Sequence, residues 1–171
     1  MPRNIEIKAR VGDLAPIEAR ARAIATRGPE DLVQDDTFFR CTTGRLKLRE
    51  FADGRGELIH YTRADEAGPK VSEYSIAPTA APSELRETLA RAFGILGRVA
   101  KVRRVYLVDR TRIHLDEVHG LGMFVELEVV LREAESPQDG RAAADELMVK
   151  LGIEPGQLVT GAYLDLLVAR G

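Results

Sequence analysis

Glu126 and Glu128 stand one residue apart, and at the two-residue period of a β-strand their carboxylates project from the same face. Two carboxylates so placed can share a hard divalent cation, because Mg2+ takes oxygen ligands and completes its shell with water and substrate phosphates. The same spacing recurs among basic residues, in Lys8 and Arg10, Lys47 and Arg49, and Lys101 and Arg103, with Arg63, Lys70 and Arg112 as further members of the set. Ammonium and guanidinium groups neutralise phosphate oxygens, arginine by paired contacts. Glu6 falls in step with Lys8, and Asp116 in step with Arg112. Interleaved cations and carboxylates at strand spacing suit one kind of ligand, a polyphosphate carrying divalent metal.

The elements that must position these residues can be read from periodicity. Asn4 to Val11 alternate strictly, with Ile5, Ile7, Ala9 and Val11 on one face and Asn4, Glu6, Lys8 and Arg10 on the other, which predicts a strand with one apolar and one ionic face. Further strands are predicted over Val33–Cys41, Arg45–Phe51, Glu57–Ala64 and Lys70–Ile76, around Lys101–Tyr106, over Thr111–Val118, and around Phe124–Val129 after a turn at His119–Gly122. Asp53 to Gly56 reads as a hairpin turn. Helical spacing predicts helices over residues 13–26 with Asp13 as N-cap, over Glu84–Leu96 with Ser83 as N-cap, from a capping box at Ser136 to a stop at Gly152, and from about Gln157.

Antiparallel sheets commonly leave one polar face to water, but such faces mix Thr, Ser, Gln and Lys. Here Glu-Ile-Lys, Lys-Leu-Arg and Glu-Leu-Glu repeat charges of both signs. If the sheet closes with its apolar faces outward beneath helices, the ionic faces line a lumen. Burying so many charges there calls for an ionic ligand to pair them.

At this point the residues resemble the CYTH family, also called triphosphate tunnel metalloenzymes, which includes class IV adenylate cyclases, thiamine triphosphatases and inorganic triphosphatases. The family signature Glu-x-Glu-x-Lys appears as Asn4-Ile5-Glu6-Ile7-Lys8, with Asn4 replacing the first Glu. Lys47-Leu48-Arg49 and Lys101-x-Arg103-x-x-Tyr106 match as well. The most specific match is Arg112-Ile113-His114-Leu115-Asp116-Glu117-Val118 followed by Gly120-Leu121-Gly122-x-Phe124-x-Glu126-Leu127-Glu128, which is most similar to the class IV adenylate cyclase branch.

The resemblance covers nearly the whole chain and implies one domain over residues 1–171, an α+β fold built on an eight-stranded antiparallel barrel with flanking helices. It implies that Lys8, Arg10, Lys47, Arg49, Arg63, Lys70, Lys101, Arg103 and Arg112 grip phosphates. Glu6, Glu126 and Glu128, with Asp116 nearby, would hold Mg2+ or Mn2+, and Lys8, Arg49 and Glu6 would be the catalytic residues. The implied function is an enzyme on a small-molecule triphosphate: a phosphohydrolase of inorganic, nucleoside or thiamine triphosphate. The alternatives are a class IV adenylate cyclase forming cyclic AMP and pyrophosphate, a non-catalytic binder of polyphosphate or nucleotide, and a phosphatase of organic diphosphates. Asn4 offers an uncharged amide oxygen where the family has a carboxylate, which bears on the number of metal ions.

Composition excludes other classes. Lys and Arg total 25 against 27 Asp and Glu, so there is no basic surplus for nucleic acid. No apolar run approaches the roughly 20 residues that span a bilayer. A start that leads directly into a strand, together with a single cysteine, fits the cytoplasm. Cys41 reads as a small apolar filler in a strand. His114 is read as a hydrogen-bonded structural residue rather than a proton shuttle, and His60 and His119 are given no role. The leucine-rich C-terminal helix is expected to pack on the barrel, with any leftover apolar strip available to a homodimer.

Overall fold

The alternation is realised as a closed barrel. The computed structural model describes residues 1–171. Strands β1 (Arg3–Val11), β2 (Arg27–Phe39), β3 (Arg45–Phe51), β4 (Gly56–Arg63), β5 (Lys70–Thr79), β6 (Ile95–Val108), β7 (Thr111–Val118) and β8 (Gly122–Val130) pair antiparallel in the order β1-β5-β4-β3-β2-β6-β7-β8, and β8 closes onto β1. Closure leaves no unpaired sheet edge. The helices are α1 (Ala15–Ile24), α2 (Pro82–Phe93), α3 (Pro137–Leu151) and α4 (Tyr163–Arg170), none of them long and apolar enough to cross a membrane.

The apolar faces point outward. Ile5, Ile7 and Ala9 of β1, Ile113 and Leu115 of β7, and Val125, Leu127 and Val129 of β8 pack with Ile17 and Ala21 of α1 and with Ala144, Leu147, Met148 and Leu151 of α3. A smaller cluster of Phe39, Leu48 and Leu89 seats α2. Burying each such Leu or Ile contributes about 1.5–3 kcal/mol, and a strand has only two faces. Satisfying the outer layer therefore commits the charged set to the interior.

Gly140 lets α3 approach, since a Cβ there would meet Leu131 Cδ2 at 2.5 Å and Ile5 Cγ1 at 2.6 Å. The capping box forms as its spacing predicts: Asp139 N donates to Ser136 Oγ, Ser136 N donates to Asp139 Oδ2, and Gly152 ends the helix with φ 72°.

Several boundaries differ from the sequence reading. Asp13 Oδ1 accepts from Ala15 N at 2.9 Å, but the N-cap position is Leu14. Ser83 lies inside the first turn of α2, and Gly94 at φ 77° ends that helix, so Ile95 and Leu96 open β6. No helix starts at Gln157. Pro155–Gln157 form a single 3-10 turn, Leu158 bridges to Ala9, and Gly161 at φ 80° delays α4 to Tyr163. β2 ends at Phe39, which leaves Cys41 exposed in the following loop rather than filling a strand.

The segment before α4 crosses the end of the barrel where β1, β2 and β7 finish. Val159 N donates to Lys8 O, Arg45 pairs with Asp165, and Arg170 donates to Gly120 O. Tyr163 and Leu164 join Phe38, Val99, Val118 and Phe124 in an apolar floor.

Candidate functional site

The ionic faces enclose a cavity of about 320 Å³. Of the nine basic residues proposed for phosphate, Lys8, Lys47, Arg49, Arg63, Lys101, Arg103 and Arg112 line it, as do Glu6, Glu126 and Glu128. Register explains the convergence: Lys8 pairs with Glu126 and Glu6 with Glu128 across β1 and β8, while Arg112 faces Glu128 and His114 faces Glu126 across β7 and β8.

The other expected residues lie elsewhere. Arg10 points to one end, donating to Leu121 O at 3.0 Å over the Phe124 ring. Lys70 is buried and donates to Glu66 O, outside the cavity lining. Asp116 is fully buried and accepts three strong hydrogen bonds, from Arg103 Nε at 2.7 Å, from Arg103 Nη2 at 2.6 Å and from Tyr163 OH at 2.7 Å. With its oxygens so engaged it orients Arg103, and it lies outside the cluster formed by His114, Glu126 and Glu128. Tyr106, part of the basic motif, faces outward and donates to Glu18 of α1.

Two buried residues carry roles the sequence reading did not assign. Asp36 of β2 accepts from Lys47 and Arg49 at 2.8–2.9 Å and from Lys101 at 3.1 Å. Its neighbour Asp35 obscured which of the two faced inward, and only the phase with Phe38 could have shown it. Tyr163 lines the cavity floor, with Lys8 Nζ 3.9 Å from its ring centroid.

Electrostatics follow from this packing. Burial opposes ionisation of Asp36, but Arg49, Lys101 and Lys47 outweigh it and hold the carboxyl well below its ordinary range. Burial likewise works against Glu126, where Lys8 and Arg103 prevail and keep it well below the ordinary carboxylate. Glu128 is brought to about 2, burial being overcome by His114, Arg112 and Arg103. Lys101 moves the other way: burial, then Arg49, Arg103 and Lys47, outweigh Asp36 and bring it down to about 7. Burial is thus the main reason that Lys101 loses its charge more readily than an exposed lysine.

The acidic corner has the donor chemistry of a divalent cation site. Ligand atoms of His114, Glu126 and Glu128 lie within 4.8 Å of one another. Glu126 is held loosely, at 3.4 Å from both Lys8 and Arg103. Glu6 and Glu128 each keep one tight arginine contact, at 2.7 Å from Arg63 and Arg112. Asn4 Oδ1 is buried without a hydrogen-bond partner.

The outer faces of the barrel are apolar, and its lumen sets seven cations beside clustered carboxylates. The chain belongs to the CYTH domain family, whose model matches residues 2–163. It is similar to a provisionally named adenylate cyclase of Methanocaldococcus jannaschii, with 23% identity over 95% of this chain and 97% of that protein. A Pyrococcus horikoshii OT3 protein superposes with a TM-score of 0.84 at 21% identity, covering 96% of this chain and 99% of the other. A provisionally named adenylyl cyclase from Hippeastrum, described as having a dominant triphosphatase activity, superposes at 0.70 with 17% identity, over 98% of this chain and 96% of its own.

Proposed function

We propose that this chain is a divalent-metal-dependent phosphohydrolase of a small-molecule triphosphate. The observation that carries the reading is the convergence of seven lumen cations on one cavity that also holds the Glu126 and Glu128 carboxylates. Phosphoryl transfer asks a protein chiefly for positioning and charge neutralisation. Lys47, Arg49 and Lys101, which share the Asp36 carboxylate, would exchange part of that contact for phosphate oxygens, Arg49 by paired contact. Lys8 and Arg103, both loosely set against Glu126, would meet the charge nearest the metal site. Glu6, Glu126 and Glu128 would hold Mg2+ or Mn2+, which when bound supplies charge neutralisation and a polarised water. In hydrolysis water forms a bond to the terminal phosphorus and gives up a proton, the bridging P–O bond breaks, the shortened phosphate chain leaves with the electron pair, and the phosphoryl group is released as orthophosphate.

The name of the Methanocaldococcus jannaschii relative favours a second reading, in which the 3′-hydroxyl of ATP attacks and pyrophosphate leaves. Hydrolysis makes the smaller demand, since it needs only the phosphate grip and a water. Incubating the purified protein with Mg2+ or Mn2+ and ATP, thiamine triphosphate or tripolyphosphate, then separating the products, decides between them. Orthophosphate is the expected product; cyclic AMP with pyrophosphate would establish the cyclase instead, and tight binding without turnover would leave a polyphosphate binder.

A further inference from the structure

His114 sits mid-strand on β7, directly across from Glu126 of β8. Its side chain is about nineteen-twentieths buried, with 5% exposure, and it lines the lumen. Its Nδ1 has no hydrogen-bond partner although it is buried. Buried polar atoms are nearly always partnered, so an orphaned imidazole nitrogen aimed at carboxylates needs a reason. The nearest carboxylate oxygens, Glu126 Oε2 from Nδ1 and Glu128 Oε2 from Nε2, are each 3.9 Å away. That is too far for a hydrogen bond. The Nδ1–Glu126 Oε2 spacing suits two atoms that flank one ion, because two ligands each about 2.1 Å from one metal lie at most about 4.2 Å apart; Glu128 belongs to the same cluster, whose ligand atoms lie within 4.8 Å of one another.

We propose that His114 supplies a nitrogen ligand to the cation held by Glu126 and Glu128, so that the site has a mixed nitrogen and oxygen donor set and selects Mn2+ or a later first-row divalent ion over Mg2+. The proposal rests on the reading of Glu126 and Glu128 as metal ligands and adds a third. Imidazole suits first-row transition ions, whereas Mg2+ is satisfied by oxygen and retains its waters. The bond to Asp116 that fixes Arg103, and the tight Arg112 contact to Glu128, leave Glu126 and His114 as the pair freest to turn toward an ion.

The test is electron spin-echo modulation on the full-length protein loaded with Mn2+. Wild type is expected to show a 14N coupling that His114→Gln loses, while the variant binds Mn2+ about tenfold or more weakly and Mg2+ within about threefold of wild type. Protein carrying 15N-histidine gives the same information without any substitution: the modulation must shift to the 15N frequencies. No nitrogen coupling in wild type, or a coupling that persists in His114→Gln, would overturn the proposal. If Glu126→Gln leaves Mn2+ affinity unchanged, the underlying carboxylate site fails, and the histidine ligand with it.

Discussion

At the scale of single residues, Asp36 shows why a charged lumen need not be unstable in the absence of ligand. It stands in for an anion among Lys47, Arg49 and Lys101, and taking one partner from a buried pair costs about 3–5 kcal/mol. Asp36→Asn is therefore expected to lower the urea midpoint and, by removing an internal competitor, to bind tripolyphosphate more tightly than wild type, so that ligand restores much of the lost stability. Equilibrium unfolding with and without tripolyphosphate measures both effects. Arg49→Ala is expected to weaken tripolyphosphate about 10- to 100-fold by calorimetry, in line with one or two charge-assisted hydrogen bonds of about 1.5–3 kcal/mol. Lys101, brought down to about 7 by burial and by Arg49, Arg103 and Lys47, is largely uncharged at pH 8. An incoming phosphate restores its charged form, so binding at pH 8 is expected to take up protons and at pH 6 to take up few, which calorimetry in buffers of different ionisation enthalpy reads directly.

Among the elements, α3 and α4 do different work. α3 seals the outer face of β1 and β8, and Gly140→Val would drive a side chain into Ile5 and Leu131, with an expected loss of about 1–3 kcal/mol in unfolding free energy and little change in tripolyphosphate affinity. Strand positions and inward faces were legible in the sequence because alternation with a period of two is strong in Asn4–Val11 and Thr111–Val118. The C-terminal reading failed at Gln157 for a local reason, since Pro155 and Gly161 redirect the chain across the barrel mouth and propensity in the leucine-rich stretch hides that. His114 was legible as an inward residue but not as a member of the acidic cluster, because its partners come from β8 across the ladder and register is invisible in one strand. For Asp116 the partners were what stayed hidden: spacing placed it with Arg112 and His114, and only the barrel shows that Arg103 and Tyr163 donate to its oxygens.

For the whole molecule, stability and ligand binding share one set of charges. Asp36, Asp116, Glu126 and Glu128 are all held below their ordinary values in the fold, burial being outweighed in each by neighbouring cations. A carboxyl depressed on folding adds stability that is complete above its free value and lost as pH falls through the folded one. As far as the carboxyls go, urea midpoints are thus expected to be level between about pH 5 and 7 and to fall steeply toward pH 2, the free carboxyls lying near 4; above that range Lys101, brought down to about 7 in the fold, makes them rise with pH, because only the unfolded chain still holds its proton. The central claim is that polyphosphate and metal enter the lumen together. Crystals soaked with a non-hydrolysable triphosphate and Mn2+, with data collected for anomalous scattering, test it most directly. The account requires phosphate density among Lys47, Arg49 and Arg103 and an anomalous peak beside Glu126 and Glu128; triphosphate bound only on the outer surface, with no peak in the lumen, would contradict it.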